Sequence, residues 1–168
     1  MTTKFKLYLI APIIAVFMAQ ALPAVAAEDM AGGLNEVLVK GLEESNWQET
    51  ADEIYMWIKT NKTDFLVVDV RPGEKGYSAG HIPGAIHIPY NDMLTTVSLK
   101  RLPKDKKIIL VCATGQLANL PVVPLRALGY DAYTMMFGYA AWAKGFGGGE
   151  MMKAVVEKAN SKNYPMEK

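Results

Sequence analysis

The stretch KIILVCATGQLANLPVVPLRALGY, residues 107–130, decides the fold of this chain. Its apolar run from Ile108 to Val111 predicts a buried strand, and the only cysteine, Cys112, follows directly. A short loop holding Gly115 then leads into a helix that we expect to begin near Leu120. Open α/β folds bind ligands at the carboxyl ends of their strands, and helix N-termini attract anions. The pattern therefore places Cys112 where such folds hold their ligands.

The composition favours one folded domain with a small-molecule or protein partner. The chain has 168 residues, 51% of them hydrophobic, which is enough for one core. Its 18 basic residues include Lys4 and Lys6, so the chain after residue 27 keeps 16 basic against 17 acidic residues. No basic stripe or cluster remains that would indicate a nucleic acid or an anionic membrane surface as partner.

The cysteine and histidine content predicts neither a disulfide nor a metal site. A single cysteine has no partner within the chain, and no Cys or His grouping has zinc-ligand spacing. The two histidines, His81 and His87, share no helical face. We therefore expect the protein to need no metal and no other cofactor.

Residues 1–27 have the pattern of a secretory signal peptide. Lys4 and Lys6 form a basic start, an apolar run follows, and small residues surround the predicted cleavage after Ala26 or Ala27. The alternative is an uncleaved membrane anchor, but the apolar run is short for a spanning helix. No cysteine lies at the cleavage site, which excludes a lipoprotein. We expect export to the periplasm and no stable membrane span after cleavage.

The remaining chain alternates strands and helices, which predicts a parallel sheet with helices on its faces. Residues 28–46 form a helical extension, 47–147 the main domain, and 148–168 a C-terminal helix and tail. The predicted strands besides the central one are Phe65–Val70, Ala85–Pro89 and Ala132–Met136, with Trp47 either in an edge strand or stapling the next helix. The predicted helix signals are a capping box at Thr50–Glu53, a cap at Asn91 or Asp92, and a stop at Gly129.

Five short motifs together resemble the rhodanese family. They are Asp69-Val70-Arg71, Gly80-His81-Ile82-Pro83-Gly84-Ala85-Ile86, the strand ending in Cys112, Leu128-Gly129-Tyr130 and Gly138-Tyr139-Ala140-Ala141-Trp142. Their order and spacing match a single-domain rhodanese from about Trp47 to Gly145. The resemblance implies an α/β fold, a rhodanese-like domain with a central, mainly parallel five-stranded sheet and helices on both faces.

The same resemblance implies sulfurtransferase chemistry at Cys112. In this family the cysteine takes a sulfane sulfur from a donor such as thiosulfate and passes it, from a persulfide, to cyanide or another thiol. Backbone N–H groups of the following loop would hold the anion and lower the pKa of the thiol. The residues that would supply them are Ala113, Thr114, Gly115, Gln116, Leu117 and Ala118, with Gly115 permitting a positive φ.

The loop departs from the family pattern at two positions. Active rhodaneses commonly carry arginine or lysine where this chain has Ala113 and Leu117. A doubly charged donor thus loses its usual clamp, which favours a neutral polysulfide-like or protein-bound persulfide donor over thiosulfate. The phosphatases that share the fold need an arginine where Ala118 stands, so phosphate-ester hydrolysis is not expected.

Three further residues are expected to support the site. We expect the Asp69 carboxylate to hold nearby loop N–H groups, and Arg71 to pair with a carboxylate or carbonyl, or alternatively to face the cleft. We expect the His81 side chain to form a hydrogen bond with a backbone group and so to stabilise its turn. The alternative is a role in proton transfer. Two other functions stay open: a non-catalytic rhodanese-like binding module, and a redox-sensing thiol that forms a mixed disulfide.

Overall fold

The computed structural model describes residues 28–162 and 164–167, and the expected signal peptide lies outside them. The chain divides into two compact units, residues 1–36 and 37–168. Residues 28–43 form helix α1. No helix in the described part is long and apolar enough to cross a membrane. The domain boundaries inferred from sequence stay predictions.

The second unit is built on one five-stranded sheet. Every pairing in it is parallel, and the strand order is β1-β5-β4-β2-β3. The expected central five-stranded sheet is therefore confirmed. The strands are β1 Gln48–Glu49, β2 Phe65–Asp69, β3 Ile86–His87, β4 Lys107–Val111 and β5 Ala132–Met135.

Helices lie between the strands and after the last strand, β5. They are α2 Ala51–Lys59, α3 Glu74–Ala79, α4 Thr96–Leu99, α5 Val122–Ala127, α6 Tyr139–Trp142 and α7 Gly147–Lys162, and 3₁₀ turns occupy Ser45–Trp47, Tyr90–Asp92 and Leu117–Asn119. The predicted capping box starts α2: Glu53 N donates to Thr50 Oγ1 at 3.2 Å, and Thr50 N donates to Glu53 Oε2 at 2.9 Å. Gly129, at a φ of +77°, follows the end of α5 as expected.

Helices cover both faces of the sheet. Along β4, Ile108 and Leu110 pack with Leu125 of α5 in one buried cluster. Ile109 and Val111 pack with Ile54 of α2 in a second cluster. Because side chains alternate along a strand, the two clusters lie on opposite faces. The central strand is thus buried on both sides, as its unbroken apolar sequence predicted.

One predicted helix cap was wrong, and another helix begins two residues after its predicted start. The chain after the cysteine first forms the 3₁₀ turn Leu117–Asn119, and α5 begins only at Val122. Pro121 precedes its first residue and Pro124 lies in its first turn, where proline removes no helical hydrogen bond. Helix α4 is capped by the Thr95 side chain, which accepts from Ser98 N, and not by Asn91 or Asp92. Those two residues belong to the separate turn Tyr90–Asp92.

Candidate functional site: the cysteine loop

The candidate site lies at the carboxyl ends of the parallel strands. Cys112 follows the last residue of β4, and Val111 is in register with Asp69, the last residue of β2. We call residues 112–118 the cysteine loop. All the loop residues expected from sequence lie in this one segment. Cys112 is a free thiol with only 1% of its surface exposed, in the same buried cluster as Ile108 and Leu110.

The carbonyl groups at the start of the cysteine loop are held by α6. Tyr139 N donates to the carbonyl oxygen of Cys112 at 2.9 Å, and Ala140 N donates to that of Ala113 at 3.0 Å. These are the first N–H groups of α6, which have no acceptor within their own helix. The first carbonyl groups of the cysteine loop and the first N–H groups of α6 are therefore hydrogen-bonded to each other.

The N–H groups of residues 113–118 have no acceptor among the described residues. Within the described part of the chain, none of them donates to a carbonyl or to a side chain. The loop turns at Gly115, where φ is +86°, and then enters the 3₁₀ turn at Leu117. Consecutive unpaired N–H groups in such a loop form a favourable environment for an anion.

The turn between β5 and α6 presses closely on the cysteine loop. A Cβ atom on Gly138 would lie 2.1 Å from the carbonyl oxygen of Cys112 and 2.9 Å from Gly115 N. A Cβ atom on Gly115 would lie 3.1 Å from Phe137 N. Both glycines have a positive φ, so the close approach needs glycine on conformational as well as steric grounds.

Asp69 and Arg71 form a buried ion pair beside this edge of the sheet. Arg71 Nη2 donates to Asp69 Oδ2 at 2.6 Å, and the backbone N of Arg71 donates to Asp69 Oδ1 at 3.0 Å. Arg71 Nη2 also donates to the carbonyl oxygen of Gly80 at 2.7 Å. Burial lowers the pKa of Arg71, but the hydrogen bond and charge of Asp69 outweigh it and leave this pKa raised. The pair ties the end of β2 to the following turns.

Tyr139 connects that ion pair to the cysteine loop, a role that the sequence did not reveal. Its Oη donates to Asp69 Oδ2 at 3.0 Å and accepts from Ile82 N at 3.0 Å. Its backbone N donates to the carbonyl oxygen of Cys112. The Arg71 guanidinium lies 3.9 Å from the centre of its ring. Burial, followed by the negative charge of Asp69, raises the pKa of Tyr139 to about 12. In the sequence, Tyr139 stood out only because it follows Gly138 in one of the five motifs that resemble the rhodanese family.

Among the described residues, the His81 side chain forms no hydrogen bond with the cysteine loop. It is exposed, its Nδ1 is 3.0 Å from the carbonyl oxygen of Tyr77, and its ring stacks on that of Tyr77 with centroids 3.9 Å apart. Both contacts fix the turn after α3. In the described part of the chain, no group of three or more Asp, Glu, His or Cys side chains is placed to hold a metal.

A cleft of about 170 Å³ opens between the cysteine loop and the end of β5. We call it the Phe137 cleft, and none of the residues that line it is charged. Its wall includes Gln48, Thr114, Gly115, Gln116, Asn119 and Phe137.

Over part of its length, the chain is similar to proteins that are named sulfurtransferases. The model of the rhodanese-like domain matches residues 50–145. A tRNA sulfurtransferase of Desulfurococcus amylolyticus is 37% identical over 82 residues, which are 49% of this chain and 16% of that protein. The adenylyltransferase and sulfurtransferase uba4 of Ogataea parapolymorpha is 33% identical over 79 residues, 46% of this chain and 20% of that protein. The matched region thus spans a fifth or less of either relative.

Solved structures share the fold over nearly their whole length. A rhodanese-like domain protein from Staphylococcus aureus superposes with a TM-score of 0.52 at 29% identity, covering 58% of this chain and 93% of that one. A rhodanese-related protein from Thermoplasma volcanium gives a TM-score of 0.50 at 28% identity, covering 56% and 88%. The similarity concerns the sheet and the helices around it.

Proposed function

The chain belongs to the rhodanese-like domain family, and we propose that it is a sulfurtransferase that carries a sulfane sulfur as a persulfide on Cys112. The observation that supports this most is the cysteine loop itself. Its first carbonyl groups are held by α6, and the N–H groups of residues 113–118 have no acceptor among the described residues. A persulfide anion on Cys112 would supply that acceptor.

The reaction has two displacement steps. In the first, the Cys112 thiolate attacks the outer sulfur of a donor, so an S–S bond to Cys112 forms and the bond to the donor's leaving group breaks. The leaving group departs with the bonding electron pair, and the proton of the original thiol goes to solvent. In the second, an acceptor thiolate attacks the outer sulfur and Cys112 leaves as a thiolate. The total number of electrons is unchanged, so no oxidant is needed.

The loop N–H groups would stabilise the anion in both steps. A hydrogen bond to a charged group contributes about 1.5 to 3 kcal/mol, so a few of them replace a cationic side chain. The bonds from Tyr139 and Ala140 to the carbonyl groups of Cys112 and Ala113 fix the peptide planes that carry the N–H groups of Ala113 and Thr114, so these two need little reorganisation when charge appears. In this proposal Asp69 and Arg71 act only through Tyr139, which they hold in place.

The donor is proposed to be neutral or protein-bound rather than thiosulfate. Ala113 and Leu117 stand where a dianion would need basic side chains, and no charged residue lines the Phe137 cleft. A polysulfide-like molecule or a persulfide on another protein needs no such clamp. The relatives' names include sulfurtransferase, but which donor and acceptor this chain uses is part of the proposal.

Export to the periplasm is proposed on the sequence of residues 1–27 alone. Sequencing the N-terminus of the protein recovered from a periplasmic extract tests it. Mature protein that begins at Ala27 or Glu28 supports export with cleavage. Full-length protein confined to the cytoplasm or to the membrane overturns it.

Intact mass tests the sulfur-carrier role. The protein is incubated with polysulfide or with thiosulfate, and the mass of one added sulfur is sought. We expect the wild-type protein to gain the mass of one sulfur with polysulfide. The Cys112→Ser variant should not gain it.

A non-catalytic binding module is the second candidate, and the 1% exposure of Cys112 favours it. Titration of the folded protein with a small alkylating reagent separates the two. A Cys112 that stays unmodified favours the module, whereas a thiol that reacts at a rate set by its thiolate fraction favours the carrier.

A further inference from the structure

A cavity of about 380 Å³ is bordered by α3 and α6, and the proposed sulfur chemistry does not use it. We call it the Arg71 cavity. Its lining includes Arg71, Gly76, Gly80, Tyr139, Trp142 and Phe146. The three aromatic residues pack in the cluster of Ile109 and Val111, whereas Cys112 packs in the cluster on the other face of the sheet. The cavity is therefore separate from the thiol.

The Arg71 guanidinium has one nitrogen without an acceptor. Its Nε donates to Asp69 Oδ1 at 3.0 Å, and its Nη2 donates to Asp69 Oδ2 and to the carbonyl oxygen of Gly80. Its Nη1 donates to no acceptor among the described residues. Only 9% of this residue is exposed, and polar groups so deeply buried are normally hydrogen-bonded. Nη1 is thus a charged donor available to a molecule in the cavity.

Gly76 leaves this guanidinium open to the cavity. A Cβ atom at Gly76 would lie 3.7 Å from Nη1, Nε and Cζ of Arg71, and no other atom would be closer to it. The equal distances place that Cβ atom over a face of the guanidinium plane. Gly76 lies inside α3 without a positive φ, so neither its backbone nor a lack of space requires glycine. A glycine inside a helix costs stability, and here the observed gain is an accessible guanidinium.

The charges around the cavity favour an anion. Among the described residues that line it, Arg71 is the only Lys, Arg, Asp or Glu. Its partner Asp69 is fully buried and also accepts from the backbone N of Arg71 and from Tyr139 Oη. The charge of Asp69 is therefore shared with donors other than the guanidinium. A charged N–H donor in such a wall complements a carboxylate oxygen.

The walls and the volume limit the rest of the molecule. The rings of Tyr139, Trp142 and Phe146 offer apolar surface, which suits a flat ring. The volume is at the lower end of the range of roughly 300–1,000 Å³ that is usual for small-molecule sites. The cavity therefore has room for one or two rings and a short acidic side chain.

We propose that the Arg71 cavity binds a small aromatic carboxylate. One carboxylate oxygen accepts from Arg71 Nη1, and the ring lies against Trp142 and Phe146. The binding is non-covalent. The site is additional to the cysteine loop, and the proposal does not rest on the sulfurtransferase function.

The test is a titration of the full chain with phenylacetate, followed by NMR at constant pH and ionic strength. We expect saturable shifts of the amide signals of Gly76 and Gly80 and of the Arg71 Nε signal, with a millimolar dissociation constant typical of so small a ligand. Phenylacetamide has the same shape without the charge. It should bind about fivefold more weakly or less, because it forms no ion pair with Arg71.

Three leucine substitutions in α3 locate the site. Gly76→Leu places a side chain beside Nη1 and should weaken phenylacetate binding at least about tenfold. Its melting temperature should stay or rise, since leucine is a better helix former than glycine and the Cβ atom has space. Ala79→Leu, at an exposed residue that also lines the cavity, should weaken binding as well. Ser78→Leu is the matched control, because Ser78 is exposed and lies outside the lining.

Several results would overturn the proposal. They are the absence of saturable shifts at Gly76 and Gly80, equal or tighter binding of phenylacetamide, or wild-type affinity in both Gly76→Leu and Ala79→Leu. An equal loss of affinity in Ser78→Leu would likewise show that the ligand binds elsewhere. Loading of Cys112 by polysulfide, read by intact mass on the same protein, is independent of these outcomes. A failure of the carboxylate site therefore leaves the sulfurtransferase role untouched, and the reverse also holds.

Discussion

A Cβ atom on Gly138 would lie 2.1 Å from the carbonyl oxygen of Cys112. No side chain fits there unless the β5–α6 turn or the cysteine loop moves. The residues right after this turn, Tyr139 and Ala140, supply the N–H groups that hold the carbonyls of Cys112 and Ala113, so such a movement would change the direction of the loop N–H groups. The geometry of the cysteine is therefore set by a residue that is 26 positions later in the sequence.

Gly138→Ala should lower both stability and sulfur loading. The backbone of Gly138, at φ +53° and ψ −144°, is strained for any L residue by about 1 to 3 kcal/mol, and the clash adds to it. Urea unfolding measures the first effect, and intact mass after polysulfide treatment measures the second. Gly84→Ala is the matched control, because its φ is +79° but nothing lies within 4 Å of the added Cβ. Equal loss of stability in the two variants, with normal loading in Gly138→Ala, would show that the close contact is unimportant.

Tyr139→Phe should destabilise the protein by about 1 to 3 kcal/mol. The change removes the hydroxyl that bonds Asp69 and leaves the buried N–H of Ile82 without an acceptor. It keeps the backbone N–H that holds Cys112, so loading should fall less than in Gly138→Ala. Chemical unfolding is the measurement, with Tyr164→Phe, at an exposed tyrosine, as control. A loss in Tyr139→Phe no larger than in the control would contradict a role for the hydroxyl.

The raised pKa of Tyr139 predicts weakening of the fold at alkaline pH. Its pKa in the folded protein is about 12, above the ordinary value of 10.0, because burial and then the charge of Asp69 disfavour the phenolate. The stability this contributes is fully present below pH 10.0 and is lost as the pH rises toward 12. Unfolding free energies measured from about pH 8 to 11 should fall less steeply in Tyr139→Phe. If the unfolding free energy fell equally steeply with pH in the wild-type protein and in Tyr139→Phe, the raised pKa of Tyr139 would not be the cause of the alkaline weakening.

A basic residue in the cysteine loop should improve the use of thiosulfate. Leu117→Lys restores a cation where the family commonly has one, and a charged hydrogen bond of about 1.5 to 3 kcal/mol corresponds to a tenfold or larger gain in loading. The gain should shrink at high salt. Leu120→Lys, just beyond the 3₁₀ turn and 60% exposed, controls for net charge. Similar thiosulfate loading in both variants would mean that the missing cation does not set donor choice.

Local patterns in the sequence were enough to predict a parallel sheet with helices on its faces and the position of the cysteine, whereas the five strands came from the resemblance to the rhodanese family. The run Ile108–Val111 is apolar at every residue because both faces of β4 are covered, and that pattern is readable without any tertiary information. The capping box at Thr50 likewise depends on residues three apart. By contrast, Asn91 and Asp92 are as good helix caps as Thr95, and only the course of the chain decides among them.

The contacts that organise the candidate site are distant in sequence and have no local pattern. Tyr139 reaches Asp69 across 70 positions, and a tyrosine in a short helix gives no indication that its hydroxyl is buried. The strained backbone of Phe137 is equally invisible, since phenylalanine is not the residue that a positive φ predicts. The late start of α5 was partly readable from Pro121 and Pro124, but the preceding 3₁₀ turn was not.

The most direct test of the account is the intact mass of the wild-type protein after brief treatment with polysulfide, followed by addition of a thiol acceptor. We predict the mass of one added sulfur, its removal by the acceptor, and no gain in Cys112→Ser. A wild-type protein that gains no sulfur from polysulfide or thiosulfate, or a Cys112→Ser variant that gains as much, would contradict the claim that Cys112 carries the transferred sulfur.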